Sequence, residues 1–483
     1  MSNDTSPGRL SPYLGLAEPL LRFASDDTKA VDTHPLRGLV QHGPYTRNAL
    51  AAHTDAVRVA IIGPETSKPG RKRVFQSVQA NQQPSDRREY VPPYPGFEPL
   101  LGVPLVPADD AAQLVWPAGL DELGSGAPHE RVRRTISQGM RQLEAVRGRF
   151  DVAVVHLPDT WVPGLRAEGF DAHDEVKAIG AELGIPTQVL NDRTLTFPYV
   201  ASLAWRLSIA LYVKAGGMPW RLAPIPGVPS ESAYIGLAYA FRGDPREAKF
   251  VTCCSQVFDA DGGGMQFVAY DARDPLEDSD EARRNPYLSR SDMRAVVARS
   301  LSLYRRRNGG RSPHRVVIHK TTAFKQEELA GASDALASVK EMECIQITTD
   351  VTWRGVWLQP GRSDDSKSRP DRYPVHRGTM IQLSGTAALV WVSGNAPSVA
   401  TRGDSYYQGG KSIPAPVLLT RHAGRGPLEQ VAIEALALTK MDWNNDALYD
   451  PVPVTIGYSQ RLARTIANVP TLPQDVYPYR MFM

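Results

Sequence analysis

Apolar runs without polar alternation mark the strands in the first half of the chain, at residues 58–63, 151–156 and 187–190. Amphipathic or apolar stretches at residues 129–149, 171–183 and 199–214 separate or follow them and predict helices. Continuous apolar strands are typical of parallel sheets that are buried on both faces. The pattern therefore predicts a Rossmann-like α/β domain over residues 56–228.

A second pattern begins after the proline-rich linker at residues 224–229. Three strands follow in succession at 233–242, 250–258 and 265–271. A helix (291–308), a strand (315–319), a helix (325–339) and a strand (344–349) come next, which is the order of a ribonuclease H-like mixed sheet. A hairpin at 377–393, a strand at 416–420 and helices at 428–443 and 454–466 complete a predicted domain over residues 229–483.

Other segments leave alternatives open. Residues 1–55 precede the first domain; their first 35 residues are either a flexible leader or a segment that docks onto a partner chain. The basic residues 68–73 are predicted to form a loop. The arginine-rich helix at 129–149 either lines a nucleic-acid channel or presents a solvated face.

Composition narrows the class of protein. The 483 residues are 42% hydrophobic and 22% charged, as in soluble proteins of more than one domain. A net charge of +3 means that any nucleic-acid site is a local patch. The three cysteines have no metal-site spacing and predict a reducing compartment. No signal peptide or membrane-spanning run is seen, so the chain is predicted to be cytoplasmic, with no membrane partner.

Candidate chemistry lies between residues 171 and 214. His173 and Lys177 are four positions apart and share one helix face, Gln188 lies in the next strand, and Lys214 lies in the last turn of the following helix. Two cations and an amide donor of this kind could bind one phosphate. Taken alone, the residues favour an ordinary solvated helix face.

The order and spacing of His173, Lys177, Gln188 and Lys214 resemble the guide 5′-phosphate pocket of the MID domain of Argonaute proteins. His173 stands where many relatives carry tyrosine. The segments HPLRGLVQHGPYT (34–46) and LTKMDWNN (438–445) are similar to Argonaute segments as well. The resemblance covers residues 34–483, without N-terminal or PAZ domains, and identifies a short prokaryotic Argonaute with MID and PIWI domains only. It also implies that Mg²⁺ joins the guide phosphate to the terminal carboxylate of Met483.

The same resemblance locates the positions of a nuclease centre. Such a centre needs several carboxylates to hold two metal ions. Ala238 and Thr321 stand at two positions where the family carries aspartate, and residues 454–458 offer neither an acid nor histidine. The expectation is a protein that does not cleave. An active nuclease would have to use displaced acids such as Asp259, Asp261 or Asp350.

The implied function is recognition without cleavage. A small 5′-phosphorylated guide RNA would pair with a single-stranded DNA target. A separate APAZ-containing effector (sirtuin-like, TIR or DNase) would be activated in antiviral or anti-plasmid defence by abortive infection. The complex would be a heterodimer that can oligomerise on target binding. The alternatives are an active guide-directed nuclease and a structural subunit with no guide. Nucleotide binding at 403–412 is not favoured, because Ser405 stands where a P-loop requires glycine.

Overall fold

The computed structural model describes residues 12–51, 54–241, 251–259, 262, 266–271, 287–359, 369–396, 399, 407, 413–473 and 475–483. Within these residues, a parallel sheet is followed along the chain by a larger mixed sheet, and helices cover both. The predicted α/β fold class, a Rossmann-like domain followed by a ribonuclease H-like domain, is confirmed.

The described helices and strands are numbered in chain order. The strands are β1 (Tyr13–Gly15), β2 (Leu21–Arg22), β3 (Val31–Asp32), β4 (Val57–Gly63), β5 (Leu105–Pro107), β6 (Gln113–Val115), β7 (Val152–Leu157), β8 (Arg166–Ala167), β9 (Phe170–Asp171), β10 (Thr187–Asn191), β11 (Arg221–Leu222), β12 (Ser232–Phe241), β13 (Val251–Asp259), β14 (Gln266–Asp271), β15 (Arg315–Lys320), β16 (Glu341–Thr348), β17 (Val356–Gln359), β18 (Arg369–Pro374), β19 (Thr379–Gln382), β20 (Ala387–Val390), β21 (Val417–Ala423) and β22 (Val476–Pro478). The helices are α1 (Pro35–His42), α2 (Arg47–Ala51), α3 (Lys68–Gln79), α4 (Phe97–Leu101), α5 (Pro128–Glu144), α6 (Val162–Leu165), α7 (Ala172–Glu182), α8 (Asp192–Leu195), α9 (Val200–Lys214), α10 (Arg290–Arg307), α11 (Gln326–Ala335), α12 (Leu428–Leu438) and α13 (Val454–Asn468).

The first sheet is parallel, in the order β10-β7-β4-β5, and β6 also pairs with β4. Every residue of β7 is buried, as expected for a strand covered on both faces. Helices α5 and α7 pack on one face through Val132, Ile136 and Val176. Helices α3 and α9 pack on the other face, where Val74 and Trp205 lie in a different cluster. This arrangement places α7, β10 and the end of α9 side by side.

The second sheet has ten strands in the order β1-β19-β20-β21-β16-β15-β12-β13-β14-β22. Strands β12, β15 and β16 are parallel to one another, and the other pairings are antiparallel. Helices α10 and α11 cover one face, and α12 and α13 cover the other. The predicted hairpin at 377–393 is present as β19 and β20.

Helix α13 crosses β12 at Gly236, where any side chain would be excluded. A Cβ atom there would lie 2.0 Å from the carbonyl oxygen of Thr455. The Ser459 hydroxyl also donates to the Gly236 oxygen at 3.0 Å. The glycine of the Tyr-Ile-Gly-Leu-Ala segment is therefore required by the close approach of α13 to the sheet.

Residues 12–35 do not form a free leader, contrary to one of the two expectations. Strand β1 pairs with β19 at the edge of the large sheet. The carboxylate of Glu18, whose side chain is only 13% exposed, contacts Arg377 at 3.0 Å and Lys440 at 2.6 Å. The segment thus docks onto its own chain. The hydrophobic pattern could not show this, since the contacts join charged residues that are far apart in sequence.

Two boundaries differ from the prediction for local reasons. Residues 68–73, predicted as a loop, begin helix α3, because Pro69 lies in the first turn, where proline is tolerated. The helix predicted to end at residue 443 ends at Leu438. Among the described residues, no helix has the length and hydropathy needed to cross a membrane.

Candidate anion-binding pocket

Lys177 is the centre of a buried cluster of polar groups, called the pocket below, which is formed by α7, β10 and residues near Met483. Asp171 caps α7 by accepting hydrogen bonds from the main-chain N–H groups of His173 and Asp174, at 2.9 and 3.3 Å. This fixes Lys177 in the middle of the helix, facing β10. Its ammonium group donates to the Thr187 oxygen at 2.6 Å and to the main-chain oxygen of Met483.

Lys214 brings a second ammonium group into the same region. Its side chain is fully buried at the end of α9, and its Nζ has no hydrogen-bond partner among the described residues. Burial, opposed by the charge of Asp442 and reinforced by that of Arg461, lowers the pKa of Lys214 to about 7. Burial also lowers the pKa of Lys177, to which the nearby charge of Lys214 contributes. Two neighbouring buried cations are unfavourable unless an anion joins them.

Gln188 and His173 border this region differently. Gln188 follows Thr187 in β10; its amide donates to the Val189 oxygen at 3.1 Å, and its buried Oε1 has no partner among the described residues. His173 lies one turn before Lys177, and its side chain is 51% exposed, 3.5 Å from the Asp174 carboxylate. The structure therefore brings Lys177, Lys214 and Met483 together, adds Gln188 beside them, and leaves His173 at the rim.

Arg461 of α13 is a member of the pocket that the sequence analysis did not identify. Its Nη2 donates to Asp442 at 2.6 Å, and its buried Nη1 has no partner among the described residues. Its charge lowers the pKa of both pocket lysines. The amphipathic pattern predicted the helix correctly, but not its position against the first sheet's helices.

Hydrogen bonds hold α13 in that position. The Asp174 carboxylate of α7 accepts from the Asn468 amide at 2.7 Å and from the Thr465 hydroxyl at 3.2 Å. The pocket therefore lies at the junction of the two sheets and is completed by both. No local sequence signal marks such a junction, although Arg461 and Arg464 both face α7 from one side of α13.

One group of side chains among the described residues has the spacing of a metal site. Ligand atoms of Asp171, His173 and Asp174 all lie within 4.8 Å of one another. Both carboxylates already have structural partners: Asp171 caps α7 and pairs with Arg166 at 3.1 Å, and Asp174 holds α13. The cluster is explained by these contacts.

Ala238 and Thr321 lie side by side on the second sheet. Leu237 of β12 is paired with Lys320, the last residue of the parallel strand β15; Ala238 is the next residue of β12, and Thr321 directly follows the end of β15. The structure thus brings together the two positions that the sequence analysis singled out, and neither side chain carries a carboxylate. The Gln346 amide donates to the Thr321 oxygen at 3.3 Å, and His422 contacts Gln346 at 3.1 Å.

Of the three displaced acids, Asp259 lies far from Ala238. Asp259 is paired with Ala233, five residues from Ala238 along β12, which corresponds to about 17 Å. Its carboxylate lies 3.3 Å from Arg307. Asp350 is exposed beyond the end of β16, and Asp261 lies outside the described residues. Segment 403–412 also lies outside them, apart from Tyr407.

The arginines of the predicted basic helix make local contacts. Arg131 donates to the Leu120 and Gly124 oxygens, at 3.2 and 3.3 Å. Arg133 lies 3.7 Å from Glu175 and over the ring of Phe170. Arg147, just after α5, donates to the Gly184 oxygen at 3.0 Å. These contacts brace the first sheet's helices, so the channel interpretation is not favoured.

A Rossmann-like sheet followed by a ribonuclease H-like sheet, with a buried cationic pocket where they meet, defines an Argonaute-like MID–PIWI fold. The chain is similar to Clostridium butyricum Argonaute bound to a guide DNA (5′ deoxycytidine) and a 19-mer target DNA, with a TM-score of 0.68 and 15% identity over 98% of this chain and 55% of that one. It is also similar to Aa-Ago with externally bound siRNA (TM-score 0.59, 14% identity, 98% of this chain and 56% of that one). The chain is also similar to Drosophila Piwi, with a TM-score of 0.58 and 13% identity over 97% of this chain and 55% of that one.

The chain thus spans about 55% of the length of these structural relatives. No family model matches it, and a search of curated proteins found no matching sequence. At this level of identity the likeness establishes the fold.

Proposed function

We propose that this chain is a guide-binding subunit that holds the 5′-phosphate of a small guide RNA in the pocket around Lys177 and Lys214. The observation that carries the proposal is the buried Lys214 ammonium group, which has no partner among the described residues and neighbours a second buried lysine. A phosphate supplies the missing negative charge and accepts hydrogen bonds from both groups. Gln188 and Arg461 add donors, and His173 closes the rim.

The pocket accounts for a preference for phosphate over hydroxyl. A terminal phosphate carries a charge of about −1.5 to −2 at neutral pH. It would stabilise the charged forms of Lys177 and Lys214, whose pKa values burial lowers. A 5′-hydroxyl group has no charge and leaves both lysines uncompensated. Discrimination therefore arises from the buried charges themselves.

The Mg²⁺ ion implied by the resemblance fits the residues present. The main-chain oxygen of Met483 accepts from Lys177, as the Thr187 oxygen does, and the buried Oε1 of Gln188, the next residue of β10, has no partner among the described residues. Hard oxygen ligands of this kind suit Mg²⁺. When bound, the ion would offset part of the charge of the guide phosphate. Lys177, Lys214 and Arg461 bind and orient the phosphate in every case.

Target recognition and the partner extend the proposal. Base pairing between the guide and single-stranded DNA supplies the sequence specificity, as the guide and target DNA bound to C. butyricum Argonaute suggest. A second, APAZ-containing protein carries the effector activity in a heterodimer. One feature supports this division: the adjacent positions Ala238 and Thr321 lack carboxylates.

The proposal is tested by purifying the chain together with its partner and sequencing the bound nucleic acid, with 5′ ends labelled before and after phosphatase. We expect small RNAs whose labelling requires phosphatase treatment. Bound RNAs with 5′-hydroxyl ends would contradict the pocket assignment. Absence of any bound nucleic acid, together with failure to load a synthetic 5′-phosphorylated guide, would favour a structural subunit.

We expect the guide-loaded chain to leave its target uncut in Mg²⁺ or Mn²⁺, and the single change Ala238→Asp not to create cleavage. One carboxylate cannot hold two metal ions, and the neighbouring Thr321 provides no second one. The measurement is gel analysis of a labelled target, with the unchanged chain as control. Cutting by either protein would show that other acids rebuild a nuclease centre.

A further inference from the structure

A cleft of about 590 Å³ lies between α10 and the C-terminal strand β22, away from the pocket described above. Three arginines line it, Arg299, Arg306 and Arg307, all from α10. Arg299 and Arg306 are seven residues apart, two helical turns, so they share one face about 10 Å apart along the axis. Leu303 lies between them, and Asp475 is the one carboxylate among the lining residues.

Two of the cleft arginines, Arg299 and Arg306, differ in their partners from Arg290 and Arg305 of the same helix. Arg290 makes a two-point contact with Asp334 at 2.7 and 3.0 Å, and Arg305 donates to Ser312 and Ser338. In contrast, Arg299 and Arg306 form no hydrogen bond or ion pair with any residue that the structure describes. Arg307 contacts Asp259 at 3.3 Å. With Arg307 paired to Asp259, the two partner-free arginines face one lining carboxylate, Asp475, so the cleft keeps a net charge of about one positive unit among the described residues.

The helix dipole explains only part of this charge. Basic residues are favourable in the last turn of a helix, which accounts for Arg306 and Arg307. Arg299 lies more than two turns before the end of α10, beyond the range of that effect. It is half-buried, and it lies against the cleft without a partner. A guanidinium in this situation is suited to bind an external oxyanion.

A short stretch of chain that carries Arg480 connects the cleft to the phosphate pocket. Asp475 and Met483, which Lys177 contacts, are eight positions apart, so their Cα atoms are at most about 29 Å apart. Between them, burial raises the pKa of Tyr479, and the nearby charges of Arg480 and Arg307 oppose the rise. Arg480 in turn lies close enough to Arg147 to lower its pKa, after the effect of burial.

We propose that this cleft is a second phosphate-binding surface, which holds the sugar-phosphate backbone of a nucleic-acid strand through Arg299 and Arg306. It rests on the proposed function, since Arg480, Arg147 and Arg307 near the segment that leads to the 5′-phosphate pocket favour a nucleic acid over an acidic protein segment. Two arginines about 10 Å apart can each bind a backbone phosphate, and such contacts are independent of sequence and of the 5′ end.

The test compares the double variant Arg299→Gln/Arg306→Gln with the matched control Arg294→Gln/Arg311→Gln. The control removes the same charge from α10 and the turn after it, outside the cleft. Affinities for 3′-labelled single strands with 5′-phosphate and 5′-hydroxyl ends are measured at several salt concentrations. For the cleft variant we expect about a tenfold loss for both strands. The slope of log affinity against log salt should become shallower by about 1.4, since each single-strand phosphate contact contributes about 0.7.

The outcomes separate this proposal from the pocket. Equal affinity of the cleft variant and the control would overturn it, and would leave an acidic protein as the partner of the arginines. A loss confined to the 5′-phosphorylated strand would also overturn it, because the change would then act through the pocket. The change Lys214→Met should instead affect only the 5′-phosphorylated strand. If that change has no effect while the cleft variant loses affinity for both strands, the pocket fails and the cleft stands.

Discussion

Replacing Lys214 by methionine is expected to weaken binding of a 5′-phosphorylated guide about 10- to 100-fold and to leave binding of a 5′-hydroxyl guide unchanged. A hydrogen bond to a charged group contributes about 1.5–3 kcal/mol. Methionine keeps the apolar stem of the side chain, so packing at the end of α9 is preserved. The measurement is the ratio of the two dissociation constants, determined side by side.

The same change should stabilise the protein in the absence of a guide. Lys214 is fully buried without a partner, so its removal relieves an uncompensated charge, an effect of about 1 kcal/mol or more. Lys177→Met is the matched comparison: it also loses guide affinity, but it breaks contacts with Thr187 and Met483 and should not stabilise. A Lys214→Met protein that melts at a lower temperature and still prefers phosphate would contradict the assignment.

The pH dependence of guide affinity tests the role of Lys214 independently. With a pKa of about 7, Lys214 is largely neutral above that pH in the free protein, whereas a bound phosphate favours its charged form. Binding then takes up a proton, so affinity for the phosphorylated guide should fall as the pH rises from about 7 to 9. In the Lys214→Met protein this dependence should be much weaker. Because the pKa of Lys214 is lower in the folded protein than the 10.5 of the unfolded chain, its burial reduces the free energy of unfolding. This loss of stability is full below pH 7 and disappears as the pH rises to about 10.5.

The largest loss of stability is expected from Glu434→Leu. Arg315 and Glu434 form a two-point ion pair with side chains that are 2% and 0% exposed, and the Tyr234 hydroxyl donates to the same carboxylate at 2.8 Å. Removing the carboxylate leaves a buried guanidinium and a buried hydroxyl without their main acceptor, at a cost of about 3–5 kcal/mol. Urea unfolding of the two proteins measures this difference.

The double variant Arg315→Met/Glu434→Leu provides the control. With both charges removed, most of the lost stability should return, because an apolar pair of similar volume replaces the ion pair. If the double variant loses as much free energy of unfolding as Arg315→Met and Glu434→Leu lose together, the loss comes from packing and not from charge. A change below about 1 kcal/mol for Glu434→Leu would contradict the buried-pair interpretation.

Local pattern was sufficient for the elements that hold the pocket. The apolar runs at 151–156 and 187–190 and the stretch at 171–183 predicted β7, β10 and α7 from sequence alone, and the structure adds the cap at Asp171 and the positive φ of Gly184, +67°. Lys177 and Lys214 were selected because their order and spacing resemble those of a known family. Their burial could not be predicted, since a charged residue on a helix is normally exposed.

Contacts between distant segments were not predictable. Arg461 joins the pocket through the packing of α13, and Glu18 is buried by two cations more than 350 residues away. Periodicity reports which side of an element is apolar, but not which other element covers it. The start of α3 was missed for a different reason, because proline and glycine were interpreted as loop residues when proline is also a helix-initiating residue.

Helix α13 packs on the second sheet and also contributes Arg461 to the pocket. A domain boundary near residue 228 therefore separates the two sheets but does not leave the pocket within one domain. A fragment containing only the first sheet would keep Lys177 and Lys214 but would lose Arg461, Asp442 and the carboxyl-terminal strand. Asp442 is the carboxylate that opposes the lowering of the Lys214 pKa. In such a fragment the two lysines would face solvent and behave as ordinary cations. Guide selectivity is thus a property of the assembled chain, and a truncated version would be a nonspecific polyanion binder.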